Sequence, residues 1–374
     1  MMNFKTLDYK DGQLILLDQT LLPNEEKYIK VDTAEDLWQC IYHLRVRGAP
    51  AIGVAAAYGV CAVMHRFLRG LKEAYNFEKT DCVGQAISKE KEVLIKQSFE
   101  KKLMEVTKYI RTSRPTAVNL FYAMGKIDDA FLGVQKTAKN TDEILQVIEA
   151  KAKELDLEDK EFCKAMGQHG LSLLKPNMSK LTHCNAGALA TAGIGTCLAP
   201  IYLGEEKGYN FKVYSDETRP LLQGARLTSW ELKKRGVDVT LICDNMAASL
   251  MAKGKIDAVV VGCDRMAANG DGANKIGTLG VAVMANHFGI PFYMFVPSST
   301  IDMSISCGDE IEIEMRPGEE VSNKWYKEKM APAGVADYNP AFDVTPGDLI
   351  TAVVTEKGVV RPPYRENLKK ILNK

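Results

Sequence analysis

The chain has 374 residues, with 48 Lys and Arg balanced by 48 Asp and Glu, so its formal net charge is zero. That length suffices for two domains with buried cores. The charge balance gives no electrostatic reason to expect nucleic acid or an anionic membrane as partner. Nine cysteines include no CxxC pair and no Cys/His cluster at zinc spacing. Most, such as Cys61 and Cys243, lie in apolar runs, which suits reduced core thiols in a soluble, cytoplasmic protein. The start, Met1-Met2-Asn3-Phe4-Lys5-Thr6, lacks a secretory layout. No apolar run is expected to reach the length of a membrane span.

Residues 13–18 and 28–31 read as two short strands around a Pro23-Asn24 turn. After Asp32-Thr33 the pattern turns helical through Leu37, Ile41 and Leu44. Arg47-Gly48-Ala49-Pro50 breaks it, and Pro50 opens a new apolar helix. A charged stretch from Phe67 onward ends in a helix over 92–109. Thr112-Ser113-Arg114-Pro115-Thr116 is a second break, followed by a helix over 117–131. Another spans roughly 141–174, with a weak point at Asp156–Asp159.

Beyond Lys175-Pro176, short apolar runs recur at about the 30-residue period of βαβ units. They cover 180–183, 211–214, 237–243, 256–261, 290–296 and 349–354, with helical segments such as 228–235 and 246–253 between them. The expected architecture is α/β. A mostly helical N-terminal domain with a small β-hairpin region (1–150) precedes a Rossmann-like parallel-sheet domain (151–374).

Parallel strands point their carboxyl ends one way, so the residues after each strand should converge. Those ends are His183-Cys184-Asn185, Asp216-Glu217-Thr218-Arg219-Pro220, Asp244-Asn245, Cys263-Asp264 and Ser298-Ser299-Thr300. Each has an ordinary use as well as a chemical one. Cys184 is either a small core residue or a thiol open to the site, as its polar neighbours suggest. Asp264 is either a helix cap or an acid. Asp244 reads as a cap or a supporting partner, and His183 as a packing group or a proton carrier. Arg47 and Arg114 are either surface cations or anion holders; a cation before a proline-led helix start combines a guanidinium fork with free amides. The glycine-rich Asn269–Lys275 allows close backbone approach and ends in a lysine. Together these suggest a phosphorylated small molecule.

A nicotinamide enzyme would carry G-x-G-x-x-G directly after the first parallel strand. The sequence there is Asn185-Ala186-Gly187-Ala188-Leu189-Ala190-Thr191-Ala192-Gly193-Ile194-Gly195, with different glycine spacing, and G-x-x-x-x-G-K-[ST] is absent. Neither cofactor fits.

Longer segments carry a specific resemblance. They are Arg47–Gly53, Ser113–Leu120, Thr182–Leu189, Asp216–Thr228 and Asp264–Gly277. Through them the chain resembles the methylthioribose-1-phosphate isomerases, in a superfamily that includes regulatory subunits of a translation initiation factor's guanine-exchange complex. The resemblance implies an aldose–ketose isomerisation of 5-methylthioribose 1-phosphate to 5-methylthioribulose 1-phosphate in methionine salvage, by a homodimer without metal or cofactor. It makes Cys184 and Asp264 the catalytic pair, with Asp264 the proton donor. It gives sugar-phosphate binding to Arg47, Gly48, Ala49, Arg114, Gln223, Asn274 and Lys275. Two departures stand out: a longer 67–88 segment, and Cys263 where a smaller residue is usual.

An acid is needed at the ring oxygen, and Asp264 serves only where a dry surrounding disfavours its charged form. Lys275 and Arg265 would oppose that unless directed to phosphate. The alternatives are an isomerase of 5-deoxyribose 1-phosphate or ribose 1,5-bisphosphate, and a non-catalytic regulatory subunit. The last has no need of both thiol and carboxylate.

Overall fold

The structure, a computed structural model, describes residues 4–75, 84–115 and 117–373. Two compact units emerge, Phe4–Asp159 and the chain from Lys160 onward.

The first unit opens with an antiparallel sheet of β1 (Leu7–Lys10), β2 (Gln13–Leu17) and β3 (Tyr28–Val31). The expected hairpin is β2 with β3; β1 is an addition, a half-exposed strand too short to show alternation. Helix α1 (Ala34–Tyr42) starts at a capping box between Thr33 and Asp36. It ends before Leu44, which adopts a positive φ, so the expected helix is shorter. Then come α2 (Ala49–Ala74), α3 (Gly84–Arg111), α4 (Val118–Val134) and α5 (Thr141–Leu171). The expected 67–88 segment lies partly outside the described residues.

Helix α2 is the core of this unit, packed against α3, α4 and β2. Gly53 lets α4 approach, since a β-carbon there would sit 2.9 Å from the Asn119 carbonyl oxygen. Contrary to the sequence expectation, α2 is long and apolar enough to cross a membrane by length and composition alone. Yet 83% of its most apolar window is buried inside the protein, as in a core helix. Helix α5 runs unbroken through Asp156–Asp159: its buried stripe, Ile148, Ala152 and Leu155, keeps helical spacing, and Asp156 turns inward to accept the Tyr58 hydroxyl at 3.0 Å. Its last turns belong to the second unit, where Met166 and Leu171 join the core.

The second unit is built on a seven-stranded sheet. Its members are β4 (Ser179–Thr182), β5 (Lys212–Asp216), β6 (Asp238–Ile242), β7 (Ala258–Val261), β10 (Phe292–Phe295), β13 (Ala352–Thr355) and β14 (Gly358–Val360). Their order is β14-β13-β10-β7-β4-β5-β6, all parallel except β14, which pairs antiparallel with β13. The six parallel strands are those expected from the apolar runs. Burial of β7, β10 and β13 on both faces explains why those runs are nearly continuous. Around the sheet run α6 (Ala199–Glu206), α7 (Ser229–Lys234), α8 (Ala247–Ala252), α9 (Thr278–His287) and α11 (Tyr364–Leu372), and a short α10 (Glu319–Ser322) falls between the last two in the chain.

A second sheet, ordered β11-β8-β9-β12, was not foreseen. It comprises β8 (Arg265–Ala267), β9 (Gly272–Lys275), β11 (Ile301–Asp302) and β12 (Phe342–Thr345). The glycine-rich stretch is therefore a hairpin, with Gly270 at φ 91° in its turn. Of the two cysteines read as core thiols, Cys61 is buried and Cys243 is exposed, one residue past β6 at the sheet's edge.

Candidate active site

Strands β4 and β7 are neighbours, although β5 and β6 separate them in sequence. Chain direction across the sheet reverses between them, and such a switch point opens a crevice at the carboxyl ends. Cys184 comes two residues after β4 and Asp264 three after β7. A glycine is needed between: a β-carbon on Gly262 would lie 2.8 Å from the Ala186 Cβ and 4.0 Å from Asn274 Oδ1. Thus the loops after β4 and β7, and β9 with Asn274, crowd one point.

Cys184 is 8% exposed, so its polar neighbours do not open it to solvent as the sequence suggested. Its φ is 66°, a conformation that costs a non-glycine residue about 1–3 kcal/mol and persists only where surroundings impose it. Two threonines impose it here. The Cys184 amide donates to Thr218 Oγ1 at 2.8 Å, and Thr228 Oγ1 donates to the Cys184 carbonyl at 2.6 Å.

Asp264 caps no helix. It stands between β7 and β8 with its amide donated to the Ala273 carbonyl at 2.9 Å, and its side chain is exposed. The sheet edge alone therefore gives it no dry surrounding. Arg265 turns to Asp302, at 3.6 Å. Lys275 is buried; its Nζ donates to the Ala341 carbonyl at 2.8 Å and lies over the Phe342 ring. Asn274 Nδ2 donates to Thr278 Oγ1 at 3.0 Å.

Gln223 ends the tight loop after β5. Thr218 and Leu222 have positive φ there, and a β-carbon on Gly224 would collide with the Asp216 carbonyl. Gln223 is 4% exposed and its Oε1 has no hydrogen-bond partner among the described residues. A buried, unmatched acceptor is unfavourable by about 1–3 kcal/mol and is suited to a hydroxyl or amide donor. Asp244 ties the same loop, its carboxylate accepting from the amides of Thr218 and Arg219 at 2.7 and 2.8 Å. That is the supporting role expected of it.

His183 is fully buried with both ring nitrogens engaged. Nε2 lies 2.8 Å from the Ile276 carbonyl and Nδ1 2.9 Å from Asp216 Oδ2. A carbonyl only accepts, so Nε2 carries a proton. Burial opposes a charged ring, but the Asp216 hydrogen bond and carboxylate outweigh it and raise the His183 pKa. His183, Asp216 and Asp244 bring ligand atoms within 4.8 Å of one another. The protonated Nε2 and the two amides on Asp244 spend much of the lone-pair capacity such a cluster would offer a cation.

In the first unit, Gly48 precedes α2 with φ 88°, Ala49 is its first residue and Pro50 its second, and Arg47 is half-buried beside them. Arg114 is also half-buried, and its carbonyl accepts the amide of Ala117, the residue before α4. Both arginines thus stand at helix starts, as read from sequence. The roles of Thr218, Thr228 and the buried Glu231 were missed. All three lie in or beside recognised segments, but hydroxyl and carboxylate contacts to a loop 34 to 46 residues away leave no periodic signal.

The pattern of the initiation factor 2 subunit family matches residues 45–362. The chain is 54% identical to a 5-deoxyribose 1-phosphate isomerase of Petrotoga mobilis, with 96% of each chain covered. It is 51% identical to a methylthioribose-1-phosphate isomerase of Symbiobacterium thermophilum, over 98% of this chain and 95% of the other. Among solved structures, 5-methylthioribose 1-phosphate isomerase from Pyrococcus horikoshii OT3 superposes with a TM-score of 0.85 at 39% identity, covering 99% and 96%. Translation initiation factor eIF-2B, subunit delta, from A. fulgidus superposes with the same score at 37% identity over the full length of both. The chain belongs to the initiation factor 2 subunit family, among its isomerases, and is an enzyme.

Proposed function

We propose that the protein converts 5-methylthioribose 1-phosphate to 5-methylthioribulose 1-phosphate, a methionine-salvage step, with Asp264 as proton donor and Cys184 as its partner. The observation that carries this reading is the switch point, where a thiol and a carboxylate follow adjacent parallel strands, β4 and β7. Both relatives at about half identity, named for sugar 1-phosphate isomerases, support it.

The chemistry explains the residue types. A sugar phosphorylated at its anomeric carbon has no free aldehyde and cannot simply enolise. The bond from C1 to the ring oxygen breaks as Asp264 protonates that oxygen, and the phosphate stays on C1. Hydrogen then moves from C2 to C1 while the C2 hydroxyl loses its proton, leaving a ketone. Cys184 acts at this second stage, either relaying a proton through an enolate or stabilising charge during hydride transfer. Gln223, Asn274 and Lys275 are proposed to hold the sugar phosphate, with the unmatched Gln223 Oε1 free to accept from a sugar hydroxyl. Arg47, Gly48, Ala49 and Arg114 are each proposed to contribute to its affinity through helix-start amides and guanidinium charge.

A second reading, 5-deoxyribose 1-phosphate as substrate, is favoured by the 54% identity to an isomerase of that name. The initiation-factor likeness at 37% identity supports a regulatory subunit less well, since such a role needs neither the thiol nor the carboxylate. A homodimer in the cytoplasm completes the proposal, and light scattering of the purified protein tests the dimer. The deciding experiment is turnover of 5-methylthioribose 1-phosphate, 5-deoxyribose 1-phosphate and ribose 1,5-bisphosphate, side by side with added chelator. The first should turn over fastest and the chelator should have no effect. Turnover of none would overturn the isomerase reading.

A further inference from the structure

Glu231, on α7, is fully buried, and its carboxylate reaches the loop after β4. Oε2 accepts the Ala188 amide at 2.7 Å and the Tyr202 hydroxyl at 2.8 Å, while Oε1 accepts from Asn185 Nδ2. All three partners are donors at these contacts, so both oxygens must accept, as an ionised carboxylate does and an amide cannot. A β-carbon on Gly187 would collide with that carboxylate, so the loop is seated directly on it.

The contacts form a chain that ends at the thiol residue. Asn185 Nδ2 also donates to Thr228 Oγ1, at 3.1 Å. That donation fills a lone pair on the Thr228 oxygen and leaves its proton for the Cys184 carbonyl, at 2.6 Å. Turning the Asn185 amide over would set its oxygen against both the Thr228 oxygen and the carboxylate. Glu231 therefore fixes which way Asn185 points, Asn185 fixes the Thr228 hydroxyl, and Thr228 holds Cys184 at positive φ.

We propose that Glu231 is a positioning residue for Cys184, acting through Asn185 and Thr228 to hold the thiol at the end of β4. The proposal rests on the reading of Cys184 as the reacting thiol. Glu231→Gln keeps the side chain's size but has one accepting oxygen, so it sets an amide donor against either Asn185 Nδ2 or the Ala188 amide, both in the loop after β4. A misplaced reacting group can lower turnover by about a hundredfold. We therefore expect kcat to fall by about that factor with KM changed by less than about threefold. Without substrate, the rate of Cys184 alkylation by iodoacetamide, read by peptide mass spectrometry, should rise at least about fivefold as the loop loosens.

Tyr202→Phe is the control. It removes a donor to Glu231 without touching the loop, so Tm should fall while kcat and alkylation stay within about twofold. If Glu231→Gln fails to fold, Asn185→Ala breaks the same chain one step later and should give the same two changes. Unchanged kcat and alkylation in either variant overturn the proposal, as do equal changes in Tyr202→Phe. If Cys184→Ser keeps full turnover, the catalytic reading falls, yet faster alkylation in Glu231→Gln still upholds the positioning.

Discussion

Cys184 and Thr218 both adopt positive φ, 66° and 64°, and the amide of the first donates to the hydroxyl of the second at 2.8 Å. The loops after β4 and β5 are thus locked together at their two strained residues. Thr218→Ala should leave the buried Cys184 amide unmatched, a loss of about 1–3 kcal/mol, seen as a lower Tm together with reduced kcat. Thr218→Ser, which keeps the hydroxyl, should restore both. A serine variant as impaired as the alanine one would show that the hydroxyl is not what matters.

Removing the acid should be severe. Asp264→Asn is isosteric and cannot donate a carboxyl proton, so turnover should drop by at least about a hundredfold while ligand still binds. Calorimetry with the sugar phosphate separates the two effects. Near-normal turnover would remove Asp264 as proton donor.

Cys184→Ser should lose turnover to a similar degree, about a hundredfold, and the isotope pattern then tells what the thiol does. Solvent deuterium at C1 of the product marks the enolate route. Complete retention of the C2 hydrogen marks hydride transfer, with Cys184 as a stabiliser only.

Much of this was legible beforehand, for physical reasons. Doubly buried strands must be apolar throughout, so β7, β10 and β13 announced themselves, and the residue after each had to lie at one edge. Asp264, after β7, and Cys184, after the apolar run of β4, were found as candidates at that edge in this way. The conformation of Cys184 was not, because its positive φ is imposed by Thr218 and Thr228, 34 and 44 residues away. The second sheet escaped notice because strands of two to four residues, such as β11 and β8, are too short for alternation to register. Asp156–Asp159 looked like a break because charges were counted without the face they fall on; Leu155 packs inside, and Asp156 finds an inward partner in the Tyr58 hydroxyl, 98 residues away.

Arg114 offers a test of the anion-holding helix starts. Arg114→Ala should raise KM for the sugar phosphate by about tenfold or more, with kcat changed far less, because a lost charge-assisted hydrogen bond is worth about 1.5–3 kcal/mol. Steady-state kinetics at fixed ionic strength decides it. An unchanged KM would take Arg114 out of phosphate binding.

Lys180 predicts a pH dependence that has nothing to do with catalysis. It lies on β4, fully buried, with Nζ 2.6 Å from the Phe211 ring centre and donated to the Met178 carbonyl at 3.1 Å. Burial lowers its pKa to about 6, against the weaker pull of Glu205 and Asp257. The unfolded chain keeps lysine's ordinary value near 10.4. Between these values the unfolded state binds the extra proton, so Lys180 makes stability rise with pH across that window. Below about pH 6 both states are charged and its penalty is full; above about pH 10.4 both are neutral and it vanishes. Lys180→Met should therefore stabilise the protein, and thermal melts should show a larger gain in Tm at pH 6 than at pH 9.5. A gain that is flat with pH, or larger at the alkaline end, would mean that Lys180 stays charged in the fold.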